Sequence, residues 1–247
     1  MKLALISDLH ANREAVEAVM AHARERGVEH CAFLGDFVGY GADPGWVVDF
    51  VREHTARGAV AVLGNHDEAV IKGPRTGMIA EARLVAEWTR AQLDPGQLAF
   101  LAALPWSVVR GEALYVHANA QAPEEWGYVL GRSEAVRSLM SAQQRYIFCG
   151  HVHEPKLFHL SSAGKAGDFL PIPGVSIPLS PQRRWLAIPG SAGQPRDGNP
   201  AGCYAIFDAE QASLTFHRVA YDHERAAAKI RAAGLPESLA LRLIRGT

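Results

Sequence analysis

Four short apolar runs each end in residues with metal-binding side chains, and this repeated pattern constrains the fold more than any other feature. The runs with their polar endings are Leu3–Ile6 before Ser7-Asp8-Leu9-His10, Cys31–Leu34 before Gly35-Asp36, Val60–Leu63 before Gly64-Asn65-His66-Asp67, and Tyr146–Cys149 before Gly150-His151-Val152-His153. A buried strand of a parallel sheet has this apolar character, and the residue after it lies at the carboxyl edge of the sheet. We therefore expect four strands to bring Asp, Asn and His side chains to one edge.

Helices are predicted between the first runs. Residues 12–26 carry small and aliphatic side chains at helical spacing and end at Gly27. Asp43-Pro44 is expected to begin a second helix, because Pro suits the first helical turn. The order strand, helix, strand, helix, strand predicts an α/β fold.

The remaining chain is predicted to add helices and a second sheet. Helices are expected at 78–93, at 94–101, from a cap at Ser133 to about 142, and over 222–245 with a break at Gly234-Leu235-Pro236. Strands are expected as a hairpin over 107–117 and, in a second sheet, at 156–160, 185–188, 203–207 and 213–219. We interpret residues 161–184, which are rich in Pro, Gly and Ser, as a surface excursion, and the chain 1–247 as one domain.

Composition argues against several classes of partner. The 247 residues carry a formal net charge of -1, and no segment concentrates Lys and Arg, so there is no strong nucleic-acid signature. No apolar run approaches the ~20 residues of a membrane span, and none near the amino terminus resembles a signal peptide. We therefore predict a cytoplasmic protein without a membrane partner, whose three separated cysteines are reduced and buried.

The polar strand ends form a chemically coherent set. Together with the end of the predicted hairpin they provide eight ligand-type residues: Asp8, His10, Asp36, Asn65, His66, His117, His151 and His153. Carboxylate, imidazole and amide oxygen suit borderline divalent metals. Eight such residues exceed what one tetrahedral zinc needs, whereas two metals bridged by one carboxylate would use nearly all of them. The pattern favours a two-metal site in which Asp36 is shared.

This ordered series resembles that of the calcineurin-like metallophosphoesterases. The resemblance is carried by Asp8-Leu9-His10, Gly35-Asp36, Gly64-Asn65-His66-Asp67, His117 and Gly150-His151-Val152-His153. Three further segments, 7–12, 39–44 and 189–198, are similar to the small bacterial phosphodiesterase branch. The resemblance implies a four-layer α/β/β/α sandwich with two mixed β-sheets.

The resemblance also implies a role for each residue. One metal would be held by Asp8, His10 and His153 and the other by Asn65, His117 and His151, with Asp36 bridging them. A metal-bridging hydroxide would attack phosphorus. His66 would stay free of metal and would either stabilise the developing charge or protonate the leaving oxygen. Catalytic roles are thus predicted for His66 and Asp36, and substrate contacts for Asn12, Asn65, His66 and Arg196.

The predicted activity is metal-dependent hydrolysis of a small phosphate ester, with phosphodiesters as the expected substrates. Two divalent ions are expected as cofactors, Mn first, with Fe, Ni, Co or Zn as alternatives. Three alternatives stay open: a dinucleoside polyphosphate hydrolase, a phosphomonoesterase, and a non-catalytic protein-binding scaffold of the same fold. The sequence gives no indication of oligomeric state.

Some positions depart from the family pattern or have two interpretations. Ala11 stands where Gly is usual, and Val116-His117-Ala118-Asn119 replaces His-Gly-Ser. The Asp-Arg-Gly signature of the Ser/Thr protein phosphatases is absent, which argues against that activity. Arg196 either contacts the substrate phosphate or forms an ion pair that stabilises its own turn.

Overall fold

The computed structural model describes residues 1–76 and 80–247. Within these ranges the chain forms eight α-helices: α1 Arg13–Glu25, α2 Pro44–Ala56, α3 Asn65–Lys72, α4 Ala80–Gln92, α5 Pro95–Ala102, α6 Arg132–Met140, α7 His223–Ala232 and α8 Glu237–Arg245. None of the helices in these ranges has the length and apolar character that a membrane crossing requires.

The same ranges contain two six-stranded sheets. The first has the order β3-β2-β1-β11-β12-β9, built from β1 Lys2–Ile6, β2 His30–Phe33, β3 Val60–Ala61, β9 Ser176–Pro178, β11 Gly202–Asp208 and β12 Ser213–Val219. The second has the order β4-β5-β6-β10-β7-β8, built from β4 Ser107–Arg110, β5 Ala113–Val116, β6 Tyr146–Phe148, β7 Pro155–Ser161, β8 Ala166–Phe169 and β10 Arg183–Pro189. Both are mixed, since β1 is parallel to β2 but antiparallel to β11, and β10 is parallel to β6 but antiparallel to β7.

Three apolar layers hold the sheets and helices together. Leu5, Phe148 and Phe207 belong to the layer between the two sheets. The outer face of the first sheet packs on α1 and α2 through residues such as Val16 and Val47, and a third layer joins the second sheet to α6. The predicted four-layer α/β/β/α sandwich with two mixed sheets is confirmed.

Two features of the strand arrangement differ from the sequence-based prediction. β11 and β12 do not join the second sheet, because β11 pairs with β1, with Leu3 opposite Phe207. Residues 161–184 contain β8 and β9, which extend the edges of different sheets through pairs such as Leu157 with Phe169 and Leu214 with Ile177. Both strands have three or four residues, so their periodicity is too short to be distinguished from loop.

The helix predictions need two corrections, and one predicted helix start is not tested. A helix that the sequence did not predict, α3, begins at Asn65 directly after β3. Gly131, not Ser133, is the N-cap of α6, and the Glu134 carboxylate accepts the Gly131 N–H. The described part of α4 begins at Ala80, and its predicted start at Met78 lies outside the described residues.

Candidate metal centre

The loops after the strands have an unusual backbone conformation. Asp8, His10, Asp36, His151 and His153 all have φ between 47° and 70°, in the left-handed region that residues other than Gly rarely occupy. Such conformations cost of order 1–3 kcal/mol each and concentrate at functional sites. These five predicted ligands are therefore held in tight turns.

Close backbone contacts hold these turns together. The Asp8 N–H donates to the Gly35 carbonyl at 3.1 Å, and the His10 N–H donates to the Asp36 carbonyl at 3.0 Å. Gly64 lies against the same turn, where an added Cβ would approach the Cα of Asp36 to 2.9 Å. Glycine is required at position 64 because the backbone of another segment occupies the space of a side chain.

Four buried side chains form a first group of ligand atoms. Asp8, His10, Asp36 and His153 each place a nitrogen or carboxylate oxygen within 4.8 Å of the others. The His153 Nε2 lies 3.3 Å from Asp8 Oδ1, and the His10 Nε2 lies 3.7 Å from Asp36 Oδ2. This group could hold one divalent ion.

Asp36 also belongs to a second group, with His117 and His151. The His117 Nε2 lies 3.4 Å from Asp36 Oδ2 and 3.2 Å from His151 Nδ1. The side-chain oxygen of Asn65, at the start of α3, lies 3.1 Å from the same nitrogen of His117. The two groups therefore meet at one carboxylate, and the second adds an amide oxygen.

Backbone carbonyls orient the imidazoles of both groups. One nitrogen of each ring lies 2.7–3.0 Å from a main-chain oxygen. The pairs are His10 Nδ1 with the Val38 oxygen, His117 Nδ1 with the Leu34 oxygen, His153 Nδ1 with the Gln194 oxygen, and His151 Nε2 with the Trp126 oxygen. A carbonyl only accepts, so that nitrogen carries the hydrogen, and the other presents a lone pair in the neutral ring. Ligand imidazoles in metal sites are oriented in this way.

The polar atoms at the centre of the site fit a cation. The lone-pair nitrogens of His10 and His153 face each other at 3.1 Å. Among the described residues, Asp8 Oδ1 and Asp36 Oδ2 are buried without a hydrogen-bond donor. Acceptors brought together in this way are stable only if a positive charge lies among them.

The ionisation of the central residues follows from their mutual distances. Burial alone would raise the pKa of Asp36, but the neighbouring His117 imidazolium holds that pKa well below its usual range. Burial alone would lower the pKa of His117, but the Asp36 and Asp8 carboxylates raise it to about 9. Burial and the neighbouring His117 lower the pKa of His151 to about 3. A metal ion would therefore compete with a proton at His117.

Asp67 supports the turn that carries Asp36. Its Oδ1 accepts the N–H groups of Phe37 at 2.9 Å and Val38 at 3.2 Å, and its Oδ2 accepts that of Gly64 at 3.0 Å. The Asp67 carboxylate thus connects the first turn of α3 to the loop after β2. The sequence contains one signal for this role, an acidic residue three positions after the cap of a helix.

His66 lies beside the first group but is not part of either. Its ring packs against Tyr40 at 4.5 Å and against the edge of His10 at 5.1 Å between centroids. The backbone N–H of His66 donates to Asp36 Oδ1 at 2.8 Å. Burial lowers the pKa of His66, although Asp36 opposes the shift, so the ring is neutral and retains one N–H donor.

A cavity of about 510 Å³ opens next to Asn65, His66 and His151. Its other walls carry aromatic and cationic side chains, namely Tyr40, Trp126, Tyr128, Arg75, Arg196 and Arg242. Tyr128 is 49% exposed and stacks on His151 with centroids 4.0 Å apart. Among these wall residues only Arg196 was predicted from sequence to contact substrate; Tyr40 lies in the family-like segment 39–44, and the other four have no local motif.

The structure gives different surroundings to the two remaining predicted substrate contacts. Arg196 lies in the cavity wall and donates to the Gln194 side-chain oxygen at 3.0 Å. Asn12 is buried, where its oxygen accepts the Ala15 N–H as the cap of α1 and its amide donates to the Gly193 carbonyl at 2.7 Å. Protein groups therefore occupy the polar atoms of Asn12, and its substrate contact stays a prediction.

Comparisons with known proteins agree with this geometry. The family model of the calcineurin-like phosphoesterase superfamily domain matches residues 1–212. An uncharacterized protein of Methanocaldococcus jannaschii is 34% identical over 249 residues, which cover 99% of this chain and 98% of that protein.

Two solved structures extend the comparison to the whole fold. The crystal structure of a metallophosphoesterase from Sphaerobacter thermophilus has a TM-score of 0.88 at 36% identity, covering 100% of this chain and 99% of the other. A hypothetical protein from Pyrococcus horikoshii shares the fold, with a TM-score of 0.78 at 17% identity over 100% of this chain and 98% of its own. The chain belongs to the calcineurin-like phosphoesterase superfamily, whose members hydrolyse phosphate esters with divalent metals.

Proposed function

We propose that the protein is a dinuclear metal-dependent phosphoesterase that acts preferentially on phosphodiesters. The observation that supports this most is the sharing of Asp36 between two buried groups of ligand atoms. Asp8, His10 and His153 would hold one ion with Asp36, and the second would be held by the residues grouped around His117. When bound, the two ions would lower the pKa of a water molecule and polarise the phosphoryl oxygens.

The chain's own residues then bind and orient the ester. His66 faces the cavity as a neutral ring, and its N–H would stabilise charge on the phosphoryl group or pass a proton to the leaving oxygen. Asn65 would position the phosphoryl oxygens, and Arg196, which lines the same cavity, would contact another part of the substrate. The donor set of nitrogen with oxygen favours Mn, Fe, Co, Ni or Zn over Mg, which prefers oxygen alone.

The cavity supports a diester substrate. A phosphodiester carries two organic substituents, and about 510 Å³ of space lies beside His66 and His151 to receive them. Tyr128 offers an exposed aromatic face on one wall, and Tyr40 lines another.

The direct test is hydrolysis of two aryl esters by protein stripped with EDTA and reloaded with Mn. We expect bis(p-nitrophenyl) phosphate to be hydrolysed with a higher kcat/KM than p-nitrophenyl phosphate, no turnover by the stripped protein, and weaker rescue by Mg. Faster turnover of the monoester would contradict the diester preference. Absence of turnover on both esters, with metal bound, would favour the scaffold alternative.

A further inference from the structure

Two arginines from separate segments line the cavity and lie against the same aromatic ring. The Arg196 guanidinium carbon lies 5.6 Å from the centre of the Tyr40 ring, and that of Arg242 lies 5.9 Å from it. The same ring packs against His10 at 4.6 Å and His66 at 4.5 Å. Both arginines are therefore one aromatic ring away from the metal centre.

Arg196 has charge that its protein neighbours do not neutralise. Among the described residues it forms no ion pair within 4.0 Å, and its recorded hydrogen bond is to the neutral Gln194 side chain. Asp197, the adjacent carboxylate, is paired with Arg218. The alternative interpretation of Arg196 as a turn-stabilising ion pair therefore has no support among these residues.

Arg242 is held in place by the packing of α8. Leu239, Ala240 and Leu243 of this helix form an apolar cluster with Tyr40 and α4. Arg242 forms an ion pair with Glu81 through one nitrogen at 3.1 Å, and this single contact leaves most of its five guanidinium N–H groups available to an anion.

The end of α8 is joined to the loop that carries Arg196. The Gly198 N–H donates to the Gly246 carbonyl at 2.8 Å. Gly246 has a left-handed φ of 69°, and an added Cβ would approach the Asn199 backbone to 2.6 Å. The two arginines thus belong to segments whose relative position is fixed by a backbone contact.

We propose that Arg196 and Arg242 form a second anion-binding subsite, so that the substrate is a small phosphate ester carrying another phosphate-type anion. This inference rests on the proposed function, because the scissile phosphate would bind at the metal centre. Arg242 lies in α8, beyond the residues 1–212 that the family model matches, whereas Arg196 lies within them.

The chemistry of the wall matches this class of ligand. Guanidinium groups bind phosphate through paired, charge-assisted hydrogen bonds. Arg196 has no carboxylate partner among the described residues, and an anion that contacts both guanidinium groups would neutralise its charge. Arg75 also lines the cavity, but it pairs with Glu68 at 2.7 Å and its guanidinium lies over the Trp126 ring, so it does not belong to the pair at Tyr40.

The test is calorimetric binding of two non-hydrolysable probes to the Mn-loaded full-length protein. Propylphosphonate carries one anionic group, and propane-1,3-bisphosphonate carries two on the same carbon chain. We expect the bisphosphonate to bind at least about tenfold more tightly, since charge-assisted hydrogen bonds to a second anion add affinity. Arg242→Gln and Arg196→Gln should each remove most of this difference, whereas Arg245→Gln, an exposed change on the same helix, should preserve it.

Equal affinities in the wild type, or an unchanged preference in both variants, would overturn the subsite. Circular dichroism melts of each variant establish that it is folded before its affinity is interpreted. The binding measurement does not depend on turnover. If the protein hydrolyses aryl diesters but does not prefer the bisphosphonate, the second subsite is refuted and the proposed function is not. If the protein prefers the bisphosphonate but hydrolyses neither aryl ester, the proposed function is refuted and the anion-binding subsite is not.

Discussion

Each imidazole of the candidate metal centre is oriented by a backbone carbonyl group. His117 Nδ1 is 2.7 Å from the Leu34 oxygen, and His153 Nδ1 is 2.7 Å from that of Gln194. A carbonyl cannot change its charge, so the tautomer of each ring is fixed by the fold. The orientation of each ligand thus depends on the position of a neighbouring loop.

The role of His66 can be separated from metal binding by substitution. His66→Ala should preserve metal content but reduce turnover of an alkyl phosphodiester by about 10²- to 10³-fold, the usual contribution of one positioned acid or donor group. The loss should be smaller for p-nitrophenyl esters if His66 protonates the leaving oxygen, because nitrophenolate departs without a proton. Initial rates on both esters, with elemental analysis of the metal, check this prediction.

His30→Ala is the matched control, because His30 is exposed at the beginning of β2 and outside both ligand groups. It should leave turnover on both esters unchanged. A His66→Ala variant as active as this control on every ester would exclude the catalytic role.

At the scale of elements, the loop after β2 depends on the first turn of α3. Asp67→Ala should leave the N–H groups of Phe37, Val38 and Gly64 without their acceptor. The loss should be roughly 3 kcal/mol of unfolding free energy, or a melting temperature lower by roughly 10 °C for a chain of this length. Asp168→Ala, which removes an exposed ion pair with Arg132, should cost less than about 1 kcal/mol. Equal melting temperatures of the two variants would contradict this account of Asp67.

The contact between α1 and β12 should make stability depend on pH. Burial, assisted by the nearby His22 and Arg26, lowers the pKa of His217 to about 4. The unfolded chain, in which a His has a pKa near 6.5, therefore binds a proton first as the pH falls, and stability is lost between about pH 6.5 and 4. Because His217 is only half-buried, solvent screening should limit its share to about 1 kcal/mol.

His217→Phe tests this contribution, since phenylalanine can keep the stacking on Tyr204 without titrating. Unfolding free energies at pH 8 report any difference in packing, and the change between pH 8 and pH 5 reports the titration. The variant should lose less stability over this interval than the wild type. An identical loss in both proteins would show that His217 does not contribute.

Element types were largely predictable from sequence, because helical spacing and apolar runs are local signals. The helix over 13–25 and the hairpin ending at Val116 follow the predicted pattern. The start of α3 at Asn65 was not predicted, because the polar residues of its first turn had already been interpreted as site residues at the end of a strand. The pairing of β11 with β1 was missed because no local pattern specifies which strand a distant strand joins.

At the scale of the whole molecule, the site combines predictable ligands with unpredictable walls. The strand-end motif places Asp8, Asp36 and His151 near one another for topological reasons, so their proximity could be expected from sequence. Tyr128 and Arg242 reach the cavity from segments with no motif of their own. The two mixed sheets bring the ligands together, while loops and the C-terminal helices form the walls around them.

The central claim is that Asp36 is shared by two metal ions, and metal stoichiometry tests it most directly. Elemental analysis after reconstitution with Mn should give about two ions per chain in the wild type and less than one in Asp36→Asn, with Asp168→Asn as a control that keeps both. The rate of bis(p-nitrophenyl) phosphate hydrolysis should decrease as the second ion is lost. Two ions per chain and undiminished turnover in a folded Asp36→Asn protein would contradict the account.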